Sequence, residues 1–153
     1  MAHTMQPSQA LKPSWTVSGV VEAPVEKVWP LLLDSFSSVG VDRKAVESYS
    51  GQQPYVIYIG KPGNGKITVE VDKVKHSILI QGEWWYRGVH TVTPHLRGSL
   101  ITYNVYNIAP GIGWWAAQWV QGRENARGMK GQLQAGLDAI GKQLGCAVFR
   151  VST

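Results

Sequence analysis

The groups in this 153-residue chain best able to do chemistry are brought together by a turn rather than by a contiguous motif. Pro94-His95-Leu96-Arg97-Gly98 has the composition of a hairpin turn between two strand-like runs, 84–93 and 99–108. Closing the hairpin there pairs His90 with Tyr103, Val92 with Ile101 and Tyr86 with Asn107. Ile101, Tyr103 and Val105 make the more apolar face of their strand, so Tyr86, His90, Tyr103 and Asn107 are expected to point inward with it. Such a polar ladder in an apolar chamber could orient an oxygenated ligand, and His90 could act as an acid or base near neutral pH. A register one residue off would send His90 to the solvent face instead.

The tryptophans are the second constellation. Seven Trp and six Tyr against two Phe is an uncommon balance, favouring rings with a polar tip of the kind found at interfaces and pocket mouths. Trp115 and Trp119, one helical turn apart, could stand over one end of a cavity and stack on a ring-shaped ligand. The same side chains could instead plug the core, or form a contact between two copies of the chain.

Other patterns dissolve on inspection. Gly60-Lys-Pro-Gly-Asn-Gly65-Lys66-Ile67 nearly spells a phosphate-binding loop, but Ile67 replaces the hydroxyl that binds magnesium and a strand pattern follows instead of a helix. It reads as a hairpin turn. His76 and His95 sit in predicted turns with no carboxylate pair at ligand spacing, so no metal site and no cofactor are expected. Glu83 and Arg87 share a strand face and suit a surface salt bridge. Asp34 and Asp42 read as a cap and a turn residue. No G-x-S-x-G elbow is present.

Composition sets the frame around these residues. The length is that of one domain, and 44% hydrophobic with 16% charged residues excludes a solvated, disordered chain. A net charge of +5 is spread along the sequence, and Arg123, Arg127 and Lys130 are too few for the basic stripe of a nucleic-acid binder. Cys146 is alone, so no disulfide framework exists within the chain. No apolar run approaches the roughly 18 residues of a membrane span, and MAHTMQPSQALKPS lacks the apolar core of a secretory signal. A cytoplasmic location is expected.

Residues 1–13 are polar and read as a disordered tail, followed by a single domain over 14–149. Alternation over 15–22 predicts a strand. Pro24 opens a short amphipathic helix over 24–34, which Pro30 is expected to bend or break, with a second short turn over 35–41. Residues 45–50 are a weak strand candidate. Strands are predicted over 55–59, 66–74 and 77–83 before the 84–93 and 99–108 pair. Trp115, Trp119, Gly122, Ala126, Met129, Leu133, Leu137, Ile140 and Leu144 then fall on one helical stripe, predicting a helix from near Gly113 to Leu144 with Gly145 as its stop. The glycines at 111, 113, 122, 128, 131, 136 and 141 weaken that helix, so packing on the sheet must hold it.

A strand, two short helices, a run of antiparallel strands and a long C-terminal helix make an α+β layout. In that order the chain resembles the START and polyketide-cyclase superfamily of helix-grip proteins. The resemblance rests on Trp15-Thr-Val-Ser-Gly-Val-Val-Glu-Ala-Pro-Val-Glu-Lys-Val-Trp-Pro-Leu-Leu, on Val92-Thr-Pro-His-Leu-Arg-Gly-Ser-Leu-Ile-Thr-Tyr, and on the closing stripe ending in Leu144-Gly145. It implies a curved antiparallel sheet wrapped around the C-terminal helix with a deep apolar cavity between them. Family members bind lipids, sterols, polyketides or plant hormones, and some are cyclases or dehydratases. Fold does not fix function. This chain departs from the typical pattern at 111–120 and at Glu83-Trp84-Trp85-Tyr86-Arg87, where its own ligand preference would be written.

The expected function is binding of a small hydrophobic ligand, aromatic, isoprenoid or lipid-like, between sheet and helix. The expected ligand-binding residues are Tyr86, His90, Ile101, Tyr103, Val105, Asn107, Trp115, Trp119, Met129 and Leu133. Two rivals remain: a cyclase or dehydratase using His90 and Tyr103, and a protein-interaction module, including a homodimer, using the 114–119 tryptophans.

Overall fold

The computed structural model describes residues 12–151, apart from the side chains of Arg123 and Glu124. Residues 1–11 of the expected tail lie outside the described residues; Lys12 and Pro13 are exposed. Strand β1 (Trp15–Val21) leads into helix α1 (Val25–Ser35), a 3-10 turn (Ser37–Val39) and helix α2 (Arg43–Ser48). Strands β2 (Tyr55–Ile59), β3 (Ile67–Asp72), β4 (Ser77–Gln81), β5 (Tyr86–His95) and β6 (Gly98–Asn107) follow. Helix α3 (Ile112–Leu144) and strand β7 (Val148–Val151) complete the order. The strands form one antiparallel sheet in the order β2-β3-β4-β5-β6-β1-β7. Curved around α3, it is the helix-grip architecture.

Helix α1 starts after Pro24, whose extended backbone (φ −68°, ψ 157°) makes the cap, and it runs through Pro30 without breaking. The expected break does not occur. Pro30 lacks one backbone N–H, but Val28, Trp29, Leu32 and Leu33 on the same short helix are all buried and hold it to the core. Gly40, with φ 86°, turns the chain out of the 3-10 segment.

The strand candidate at 45–50 is instead α2. Asp42 caps it, its carboxylate accepting from the Lys44 N–H at 3.1 Å, and Val46 is its one buried side chain. Asp34 pairs with Arg43 at 3.2 Å across an exposed surface.

The β2–β3 connection is a turn, with positive φ at Gly60, Gly63 and Gly65. Its amides hold a carboxylate of this chain: Glu83 accepts from Gly63 N–H at 2.7 Å and Gly65 N–H at 3.3 Å. The expected Glu83–Arg87 pair is therefore not formed, because Glu83 is taken by the turn and the Arg87 Nε–H donates to Gln81 at 2.9 Å.

The β5–β6 register is the expected one, pairing Tyr86 with Asn107, His90 with Tyr103 and Val92 with Ile101. Helix α3 packs on β1, β6 and β7, while α1 packs on β5, β6 and α3. Leu137 reaches so close to β1 that a side chain at Gly19 would collide with it. At the helix end Gly145 adopts φ 65°, and a side chain at Gly141 would meet Val148. The core therefore lies beneath the C-terminal half of α3, around Leu133, Leu137 and Ile140.

Candidate functional site

Helices α3 and α1 pack on neighbouring strands and on each other, and a cleft runs between them and the sheet. Its main cavity, about 370 Å³, is bounded by Leu32 and Phe36 from α1 and its exit, His90 and Ile101 from the sheet, and Leu133 and Leu137 from α3. A second hollow of about 360 Å³ lies further along α3, bounded by Tyr86, Tyr103, Gln121, Asn125 and Met129. Gln132 borders both. Both volumes are at the small end of the usual range for ligand pockets, roughly 300–1,000 Å³.

Tyr86, His90, Tyr103 and Asn107 all come to the inner side of the hairpin, but their polar atoms are in different states. Tyr86 and Tyr103 share a hydroxyl–hydroxyl hydrogen bond of 2.5 Å. Burial pushes both phenols up, Tyr103 far above the ordinary tyrosine range, with Tyr86 beside it adding to the effect. Both therefore stay protonated. Two hydroxyls carry two protons and the shared bond uses one, so the pair keeps an O–H to offer the second hollow.

His90 stacks on Tyr103, with ring centroids 4.0 Å apart and planes 13° from parallel, and meets the Phe36 ring edge-on at 4.9 Å. Its Nδ1 is buried with no hydrogen-bond partner. Burial among these rings pulls its pKa down to about 4. His90 is thus a neutral imidazole at physiological pH, and it stands in the wall of the main cavity together with the polar side chains Ser35 and Gln132.

Asn107 is not available to a ligand. Its amide donates to the Trp114 carbonyl at 2.9 Å and to Gln118 at 3.1 Å, and its carbonyl accepts from the Ala109 N–H at 3.2 Å. It anchors the start of α3. Val105 is wholly buried and packs with Tyr103 and Met129. Of the apolar residues expected at the site, Ile101, Met129 and Leu133 do border the two hollows.

The tryptophans depart from expectation. Trp115 and Trp119 are 64% and 84% exposed, whereas Ala117 is fully buried. Asn107 pins the Trp114 carbonyl, which turns the first turns of α3 so that Ala117 faces inward and the tryptophan stripe faces out. Trp119 borders only an open groove shared with Trp15, Gln118, Gly122 and Ala126. Trp85, by contrast, packs inside, edge-on to Trp15 at 6.2 Å and to Tyr86 at 5.5 Å.

Sequence reasoning missed Leu32, Phe36 and Gly136 as cavity walls. Leu32 and Gly136 carried a signal, since a buried helical residue and a glycine on the long helix both border space. Phe36 carried none, because the direction of the α1 exit was not readable. Among the described residues, no group of three His, Cys, Asp or Glu side chains is gathered to hold a metal ion, and no helix is long and apolar enough to cross a membrane.

No protein-family model and no curated protein matches the chain. Among solved structures it is similar to an aromatase/cyclase from a Streptomyces species, with a TM-score of 0.49 and 15% identity over 85% of this chain and 95% of that one. It is also similar to a point mutant of norcoclaurine synthase from Thalictrum flavum in complex with a transition-state analogue, with a TM-score of 0.45 and 14% identity over 84% of this chain and 95% of the other.

Proposed function

We propose that this protein binds a small, neutral, largely apolar molecule in the cleft beside α3. The observation that carries the reading is the main cavity itself: largely apolar walls in which Ser35, Gln132 and the neutral imidazole of His90 are the polar side chains and no charged side chain takes part. A charged guest would lose its hydration there with no opposite charge to meet it. A guest burying about 300 Å² of apolar surface gains roughly 7 kcal/mol before association costs, which caps what apolar burial alone can give at about 10 μM.

Proton chemistry is poorly served by the same groups. An efficient general acid or base titrates near the working pH, and His90 lies well below it while Tyr86 and Tyr103 lie above. The stacking of His90 on Tyr103 is the feature that keeps a cyclase- or dehydratase-type reaction as a second reading. That reading requires substrate turnover that collapses in His90→Ala.

Native mass spectrometry of freshly purified protein, with tryptophan fluorescence titration of the guest so identified, tests binding. Gly136 borders the cavity, and a Cβ there meets nothing within 4 Å. Gly136→Leu should therefore fold, fill the cavity and weaken binding at least tenfold. Unchanged affinity in a folded Gly136→Leu protein removes the main cavity as the site.

A further inference from the structure

The N-terminal half of α3 carries a surface that the cleft does not use. Among the described residues, Trp84, Ile112, Trp115, Trp119 and Val120 make up half of the large apolar side chains left exposed, and all five cluster around the first three turns of this helix. Ile112 is 87% exposed and Trp119 84%. Scattered exposed apolar residues need no explanation, but a contiguous set does.

The set has a charged continuation. At about 100° per residue, Ile112, Trp115, Ala116, Trp119, Val120, Arg127 and Lys130 lie within an arc of about 140° on α3. Lys130 falls in line with Ile112, five turns along, and Arg127 and Lys130 are both exposed. One outward helix face therefore runs from a tryptophan-rich end to a basic end. The open groove between Trp119 and Trp15 lies on the flank of this arc and reaches neither Arg127 nor Lys130, so a peptide seated in it would leave the basic end unused. Indole N–H groups need a polar partner once their rings leave water; the boundary between lipid headgroups and acyl chains supplies one, together with phosphates for the two cations.

We propose that this face docks on an anionic lipid bilayer, with Ile112, Trp115 and Trp119 entering the headgroup boundary and Arg127 and Lys130 against lipid phosphates. The helix lies along the surface and does not span it. This docking is independent of what occupies the cleft, because Trp115, Arg127 and Lys130 border neither of its hollows.

The test is flotation of the full chain with phosphatidylcholine vesicles, with and without phosphatidylglycerol, while following tryptophan emission. Binding is expected to the anionic vesicles with a blue shift, to fall at least tenfold in a Trp115→Ser, Trp119→Ser double variant, and to reverse in high salt. Arg127→Glu with Lys130→Glu should cost more than the about fivefold per cation that neutralisation near a charged surface gives. All four positions are exposed, so circular dichroism should show the variants folded. Absence of vesicle binding overturns the proposal. So does binding that high salt leaves intact, which would mean lipid drawn into the cleft. Concentration-dependent mass in sedimentation that disappears in the double tryptophan variant also overturns it, by assigning the face to a second copy of the chain.

Discussion

Between Met129 and Leu144, α3 presents large aliphatic side chains to the sheet, whereas between Ile112 and Val120 it buries an alanine and turns Trp115 and Trp119 outward. Ala117 and Leu133 lie about 160° apart around the helix axis, yet both are buried. The backbone is one continuous helix; the covered face is not. The C-terminal half is seated by hydrophobic burial, with Leu137 against Gly19. The N-terminal half is seated by hydrogen bonds from one amide, Asn107. Hydrophobic periodicity locates a helix and its stripe, but a single buried polar anchor can decide which side of a short stretch faces in.

The contrast can be broken from either end. Leu137→Ala should give the largest loss, about 2–5 kcal/mol in urea unfolding, because it removes a fully buried side chain from the better-packed half. A loss under about 1 kcal/mol would show that burial does not seat that half.

Acid should act next, through the sheet wall between the two halves. His90 has its pKa drawn down to about 4 in the folded protein against about 6.5 for a free imidazole. Between those values the unfolded chain binds more protons, so stability rises with pH there and is lost on acidification, by up to about 1.4 kcal/mol per pH unit. Above about pH 6.5 this group adds no slope. Urea melts across the window should show the loss in the wild type, and His90→Phe should remove that share of it.

Asn107→Ala should cost about 1–3 kcal/mol by orphaning the groups that its amide satisfies. The effect should be local, with faster amide hydrogen exchange over 112–118 than over 129–144. Uniform acceleration along α3 would mean that the two halves do not differ in their fastening. The smallest effect should be favourable: Gly131 is exposed with open space around its missing Cβ, so Gly131→Ala should add up to about 1 kcal/mol of helix stability, read as a rise of about 2–4 °C in Tm.

Much of the fold was legible because local chemistry and packing agree in it. The Pro94–Gly98 turn set the β5–β6 register, and the run from Met129 to Leu144 with Gly145 behind it set the end of α3. Residues 45–50 misled because six residues contain too little periodicity, and the Asp42 cap decided the matter. Strand β7 went unread because Val148–Val151 is too short to show alternation and pairs only with β1. The candidate site was half legible. The inward direction of Tyr86, His90 and Tyr103 followed from register, but how their polar atoms are spent depends on partners distant in sequence. Asn107 had looked like a ligand group on those grounds, and Glu83 like half of a surface pair.

The two fastenings of α3 bear on how a guest gets in. With Asn107 securing the front and the glycine notches at 19 and 141 securing the rear, the rod is a beam supported at both ends, and it has no free end to lift as a door. The slot beside it is bounded by a wall fixed front and rear, and Gln132, exposed on α3, is the side chain that borders both chambers.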